Sequence, residues 1–200
     1  MNAFIEKKAT YKALVVGVSA GGLKALCSIL PKLPVGFPVS VIVVQHRKHM
    51  AGDYLIEYLA KRCQLAVQLA LPSQPITPGS IYIAPTGYHL LVERNATFSL
   101  SIDARVNYSI PAIDVLFESA AICYQHQLIG LILTGANHDG SLGLKTVKKY
   151  HGLTLVQSPD SAEYPEMPDA AIAATQVDHI LPLSQIASFL TRLLMGDDHG

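Results

Sequence analysis

The chain has 200 residues, 50% hydrophobic and 15% charged, which is ample apolar material for one buried core. Fifteen basic residues balance fifteen acidic ones, so nothing marks a nucleic-acid binder, and no apolar run reaches the roughly 18 residues a spanning helix needs. Three cysteines without Cys-x-x-Cys spacing exclude a disulfide framework and a cysteine zinc site; Cys27, Cys63 and Cys123 are expected in the core as small apolar side chains.

Residues 1–12 read as an N-terminal tail. Lys7, Lys8 and Lys12 before an apolar run resemble a secretory leader, but the run is short, Glu6 interrupts the basic stretch and cleavage would remove the first strand, so a cytoplasmic location is expected. That strand, Ala13-Leu14-Val15-Val16, runs into Gly17-Val18-Ser19-Ala20-Gly21-Gly22 and then a helical pattern over 23–30 that stops before Pro31. A second apolar strand, 39–44, ends in Gln45-His46. Residues 53–61 place Tyr54, Leu55, Tyr58 and Leu59 on one helix face, capped by Asp53, and both tyrosines are expected in the core. Strands follow over 64–71 and 80–84, then a hairpin over 89–93 and 97–102 that is expected to extend an edge of the sheet. Next come a helix over 112–124, a buried strand over 128–133, a helix over 141–150 ended by Gly152, and a strand over 153–157. The chain closes with a short helix over 168–175, a strand over 179–181, an amphipathic helix over 183–194 and a tail from 196 to 200. This alternation argues an α/β fold with a parallel sheet in one domain over 13–195.

The first turn carries the chemistry. Gly-x-Ser-x-Gly between a strand and a helix lets the chain turn sharply and exposes the Ser19 hydroxyl, with unpaired helix amides beside it. Nucleotide binding is the competing reading of such glycines. It wants an acid at the end of the second strand or a lysine-hydroxyl pair after the glycines, and neither is present. Instead His46 stands at the second strand's end, where it can take the Ser19 proton. Asp139, the only carboxylate in Thr134-Gly135-Ala136-Asn137-His138-Asp139-Gly140, can orient that imidazole. The order serine, histidine, acid is not that of the α/β-hydrolases, so that fold is not inferred. His138 is a weaker alternative base, because it should point away from the site beside its neighbour. His46 and His49, three apart on a loop whose spacing supplies no carboxylate ligand, with His138 nearby, are expected to be surface or hydrogen-bonding histidines rather than a metal site. His89 is expected to begin a strand, and Asp114 to serve the dipole of its own helix.

Six segments in order carry a resemblance: Gly17 to Gly22, Gln45-His46, Tyr82-Ile83-Ala84-Pro85 with His89, Pro111-x-x-Asp114-Val115-Leu116-Phe117, Leu133-Thr134-Gly135 with Asp139-Gly140, and Met167-Pro168. Together they resemble the catalytic domain of the CheB-type chemotaxis protein-glutamate methylesterases over roughly Ala13 to Leu194. The resemblance implies a doubly wound, mostly parallel sheet with helices on both faces and a Ser19-His46-Asp139 triad. It implies hydrolysis of glutamate methyl esters and deamidation of glutamines on chemoreceptors. No metal or organic cofactor is required. The oxyanion is expected to meet the backbone amides of Ala20 and Ala136. The implied partner is a methylated chemoreceptor or other methylated signalling protein, with a separate receiver-domain or kinase regulator; no nucleic acid and no membrane insertion are expected. Two departures stand out. Asn107-Tyr108-Ser109-Ile110 replaces an expected basic stretch, and Ala136-Asn137-His138 replaces Met-Gly-Asn, with Asn137 able to take a left-handed conformation. These departures leave a second function open, a retargeted or inactive domain that binds a signalling partner.

Overall fold

The computed structural model describes residues 11–46 and 54–196; His49, Asp53 and most of both tails lie outside the described residues. The apolar run Ala13–Val18 forms β1 and is buried along its whole length, as a strand covered on both faces must be. Gly22–Ile29 is α1, and Pro31 falls in the 3-10 turn Leu30–Lys32 that ends it. Ser40–Gln45 is β2, Tyr54–Ala60 α2, Ala66–Leu69 β3 and Ser80–Ile83 β4. His89–Val92 and Phe98–Ser101 are β5 and β6, followed by α3 (Ile113–Tyr124), β7 (Leu128–Ile132) and α4 (Ser141–Lys149). Leu153–Gln157 is β8, Glu166–Ala174 α5, His179–Leu181 β9 and Leu183–Met195 α6.

Seven strands make one parallel sheet in the order β3-β4-β2-β1-β7-β8-β9. The chain steps from β1 to β2 and out to the edge strand β3, comes back to place β4 between β3 and β2, then crosses to β7 on the other side of β1 and winds outward through β8 and β9. This is the doubly wound arrangement, and it opens a crevice at the carboxyl ends of β1 and β7 where the order reverses. Period-two alternation sorts the β1 side chains. Leu14, Val16 and Val18 face a layer built from Leu26, Ile29, Leu59, Ile186 and Leu190, whereas Ala13 and Val15 face one containing Leu116, Phe117, Leu144 and Ala171. Helices therefore cover both faces.

The hairpin does not extend an edge of this sheet. β5 and β6 pair only with each other, antiparallel, and β3 and β9 are the edges. Leu90, Val92 and Phe98 are buried with α3 residues, the Val92 amide donates to Ser119 Oγ, and His89 accepts the Ala112 amide at Nδ1 while its Nε2 bonds Ala104 O. The hairpin's apolar face is thus covered by α3, and its backbone is bonded within the hairpin, to Ser119 and to Gln74, so it does not need the edge of the sheet. Buried His89 is a structural clamp.

Other expectations shift for local reasons. The three cysteines are only partly buried, and Tyr54 is 62% exposed, so only Leu55 and Leu59 carry α2 into the core. Tyr58 is instead sandwiched at the surface between Tyr54 and the Arg62 guanidinium, which lies 3.6 Å from its ring centroid. The left-handed residue that ends α4 is His151 (φ 64°), not Gly152. Gly152 is required by space, since a Cβ there would lie 2.7 Å from Val147 Cγ1 and 2.9 Å from Leu128 O. α5 starts at Glu166 because Pro168 fits the first turn, where a missing N–H costs nothing.

Helices α3 and α4 touch through Gly143. A Cβ there would stand 2.6 Å from Phe117 Cβ and 3.0 Å from Asp114 Cα, and backbone cannot yield cheaply. Gly143→Ala is expected to destabilise the fold by about 1–3 kcal/mol, read as a lower urea midpoint at unchanged slope. An unchanged midpoint would show slack between these helices.

Candidate active site

Sheet register brings the nucleophile and base together. Val18 pairs with Gln45, so the next residues, Ser19 and His46, leave adjacent strands side by side, and the His46 amide donates to Val18 O at 3.1 Å. On the other side the Ser19 amide donates to Thr134 O at 3.0 Å, carrying the β1–β7 ladder one step past the sheet. The chain turns at Gly21 (φ 74°, ψ 0°), which caps α1, so the left-handed residue of the elbow is Gly21 and Ser19 itself is unstrained. Thr134 braces the turn: its Oγ1 donates to Ala20 O at 3.0 Å and accepts the Tyr164 amide at 2.9 Å, while its own amide donates to Gln157 Oε1. Gly135 lies against Met167, where a Cβ would collide with Sδ and come within 2.9 Å of Ser19 Cβ.

His46 Nδ1 lies 3.3 Å from Ser19 Oγ, and its Nε2 lies 2.8 Å from Asp139 Oδ2. A carboxylate accepts, so Nε2 carries the imidazole proton and Nδ1 presents its lone pair to the serine. His138 is exposed and does not enter this chain of contacts. Asp139 is 1% exposed and accepts from five donors: His46 Nε2, the Ile113 amide (2.7 Å), the Asp114 amide (3.2 Å), the Gly140 amide (3.1 Å) and Asn107 Nδ2 (3.0 Å). Burial would raise its pKa, but the His46, Asn107 and Ile113 bonds outweigh burial and hold the carboxyl below its ordinary value.

The helix ends explain that environment. Residue Ala112 gives α3 no side-chain cap, and Asp139, which stands just before α4, caps α3 instead. In return Asp114, in the first turn of α3, accepts the Gly143 amide of α4 at 2.6 Å. Burial and the charge of Asp139 raise the Asp114 pKa, against the lowering effects of its Gly143 and Asn107 bonds. Asp114 therefore serves α4 as well as its own helix.

Two asparagines complete the arrangement. Asn107 Nδ2 donates to both buried carboxylates, 2.8 Å to Asp114 Oδ2 and 3.0 Å to Asp139 Oδ1, which a backbone at φ 50° permits. Asn137 is not left-handed. It uses its side chain, with Oδ1 accepting the Asp139 amide at 3.0 Å and Nδ2 lying 3.2 Å from His46 Nδ1. Neither role had a signal in the sequence, because both depend on long-range contacts.

A groove of about 660 Å³ runs from Ser19 along α1, lined by Gly22, Lys24, Cys27, Gln45, Tyr58 and Glu163 among others. Lys24 and Glu163 face each other across it at 3.8 Å, with both side chains largely solvated. Burial pushes the Cys27 thiol up, so it offers no rival thiolate. Among the described residues no cluster of three metal-ligating side chains occurs.

A family model described as CheB methylesterase matches residues 14–190. The chain belongs to the CheB methylesterase family. It is 48% identical over 183 residues to a putative protein-glutamate methylesterase/protein-glutamine glutaminase of Leptospira interrogans, covering 92% of this chain and 95% of the relative. It is 36% identical over 179 residues to a protein-glutamate methylesterase/protein-glutamine glutaminase of Carboxydothermus hydrogenoformans, covering 87% of this chain but 53% of that longer protein. The fold matches the crystal structure of the Thermotoga maritima CheB methylesterase catalytic domain with a TM-score of 0.88 and 32% identity, over 92% of this chain and 99% of that one. The α/β fold expected from the resemblance is thus the fold of this CheB-family chain, and no helix among its described residues is long and apolar enough to cross a membrane.

Proposed function

We propose that this CheB-family chain hydrolyses the methyl esters of glutamate side chains on a methylated chemoreceptor or related signalling protein, and deamidates glutamines there, with Ser19 as nucleophile, His46 as base and Asp139 as orienting acid. The observation that carries the reading is the continuous Ser19 Oγ–His46–Asp139 chain at 3.3 and 2.8 Å, at the switch point of a doubly wound sheet. Ser19 Oγ adds to the ester carbonyl carbon as its proton passes to His46 Nδ1. The C–O bond to methoxide then breaks, Nδ1 returns the proton to give methanol, and water hydrolyses the acyl-serine with His46 again as base. Asp139 accepts from Nε2 throughout and holds the ring in the tautomer that offers Nδ1 to the serine.

The tetrahedral oxyanion is assigned to the backbone amides of Ala20 and Ala136. Neither amide has an acceptor among the described residues; Ala20 directly follows the nucleophile, and Ala136 directly follows Gly135, where a Cβ would come within 2.9 Å of Ser19 Cβ. The groove beside Ser19 suits a side chain carried on a larger protein segment, with Lys24 and Glu163 at its rim and Tyr58 along its wall. A receiver-domain or kinase regulator would act as a separate partner, and the site of action is the cytoplasmic face of signalling. No step calls on a metal or organic cofactor. The reading is tested with purified methylated receptor cytoplasmic segments: methanol release that depends on His46 supports it, and absence of release by folded protein counts against it.

A further inference from the structure

Asn137 shares with the nucleophile the His46 nitrogen that faces Ser19. On the reading above, the nitrogen that takes the Ser19 proton, His46 Nδ1, also protonates the departing atom, which therefore comes within hydrogen-bonding distance of Nδ1. Asn137 Nδ2 lies 3.2 Å from that same nitrogen, and Ser19 Oγ lies 3.3 Å from it. The amide orientation is fixed, because Oδ1 accepts the Asp139 backbone N–H at 3.0 Å and a flipped amide would set donor against donor. A pinned N–H donor thus lies within hydrogen-bonding distance of the nitrogen that must also reach the leaving atom.

We propose that Asn137 is a specificity-determining residue that favours a methyl ester over a primary amide at this site. The argument is a count of lone pairs. In the tetrahedral intermediate from an ester, the departing oxygen has two lone pairs: one takes the proton from His46 Nδ1 as the C–O bond breaks, and the other accepts from Asn137 Nδ2. In the intermediate from a glutamine, the departing nitrogen has a single lone pair, which takes the Nδ1 proton as the C–N bond breaks to give ammonia. Its two N–H groups then face the Asn137 N–H with no acceptor between them. The same donor assists one departure and opposes the other.

The test compares kcat/KM, which reports the step in which the leaving group departs, for a peptide bearing one glutamate γ-methyl ester (methanol read) and the same peptide with glutamine (ammonia read). Asn137→Gly removes the donor and is expected to lower the ester-to-amide ratio about three- to tenfold. Asn137→Asp keeps an acceptor for the Asp139 amide and presents an oxygen that accepts from a departing amine, so the ratio falls further than in the glycine variant. Any loss of general efficiency affects both substrates and cancels in the ratio; far-UV circular dichroism confirms folding. A ratio unmoved or raised in both variants overturns the inference while leaving the hydrolase reading intact. Wild type that turns over neither peptide overturns the reading of the reaction and, with it, this inference.

Discussion

Ser19→Ala is expected to lower turnover of a glutamyl methyl ester by about 10⁴- to 10⁶-fold without lowering the melting temperature. The chemical loss is large because the described residues offer no second nucleophile: burial raises the pKa of the Cys27 thiol, and the His46 ring meets only Ser19, Asp139 and Asn137 among them. The structural loss is small because alanine keeps the Cβ that packs on Gly135 and the amide that donates to Thr134 O. Only the 3.3 Å contact to His46 disappears. His46→Ala is expected to cost a similar factor, and the double variant no more than either alone, since the two side chains act as a unit. Methanol release measured on all three proteins checks this; additive losses would mean that the serine and histidine work separately.

Asp139→Asn is expected to lower kcat about 10⁴-fold and to destabilise the fold by about 3 kcal/mol, a pairing that separates it from the serine variant. The catalytic part arises because an asparagine can put an N–H toward His46 Nε2. That favours the wrong tautomer, in which Nδ1 carries hydrogen and cannot accept the Ser19 proton. The stability part arises because four further donors converge on this carboxylate, two of them orphan amides at the start of α3, and a carboxamide has one acceptor where the carboxylate has two. pH dependence follows with a definite sign. The folded-state pKa of Asp139 is lowered, so its contribution is fully present above the unfolded-state value of about 3.9 and is lost as pH falls through the folded-state value. Asp114 is raised, so its contribution runs the other way, and it is the first of the two carboxyls to take a proton on acidification. Thermal melts of wild type and Asp139→Asn should therefore converge as the pH drops below about 4. A constant gap between them down to strong acid would show that Asp139 is not the titrating group.

What was readable in advance, and what was not, follows the range of the interactions. The strands at 13–18, 40–45 and 128–132 announce themselves because parallel strands covered on both faces must be continuously apolar. Ser19, His46 and Asp139 follow the ends of these three strands, and the register of β1 on β2 brings the first two together. The hairpin's place is not local information, because an alternating pattern specifies a covered face without naming what covers it. Here it is α3, not a strand edge. Asn107 and Asn137 were invisible as site residues for a related reason. One bridges carboxylates 7 and 32 positions away and the other reaches His46 across 91, and no local period encodes such pairings. Tolerance for left-handed geometry is a backbone property, whereas the part of Asn137 in use is its carboxamide. The reciprocal capping of α3 by Asp139 and α4 by Asp114 was half-visible. Asp114 signalled a helix start, but the second helix it serves became apparent only from the α3–α4 packing.

Hydrolysis here depends on a serine made nucleophilic by its histidine. Treating the folded protein with a fluorophosphonate probe and mapping the adduct by mass spectrometry tests that claim most directly. A single adduct on the peptide containing Ser19, absent in His46→Ala, is the predicted result. A folded wild-type protein that takes no label, or takes it at another residue, would rule out Ser19 as the activated nucleophile.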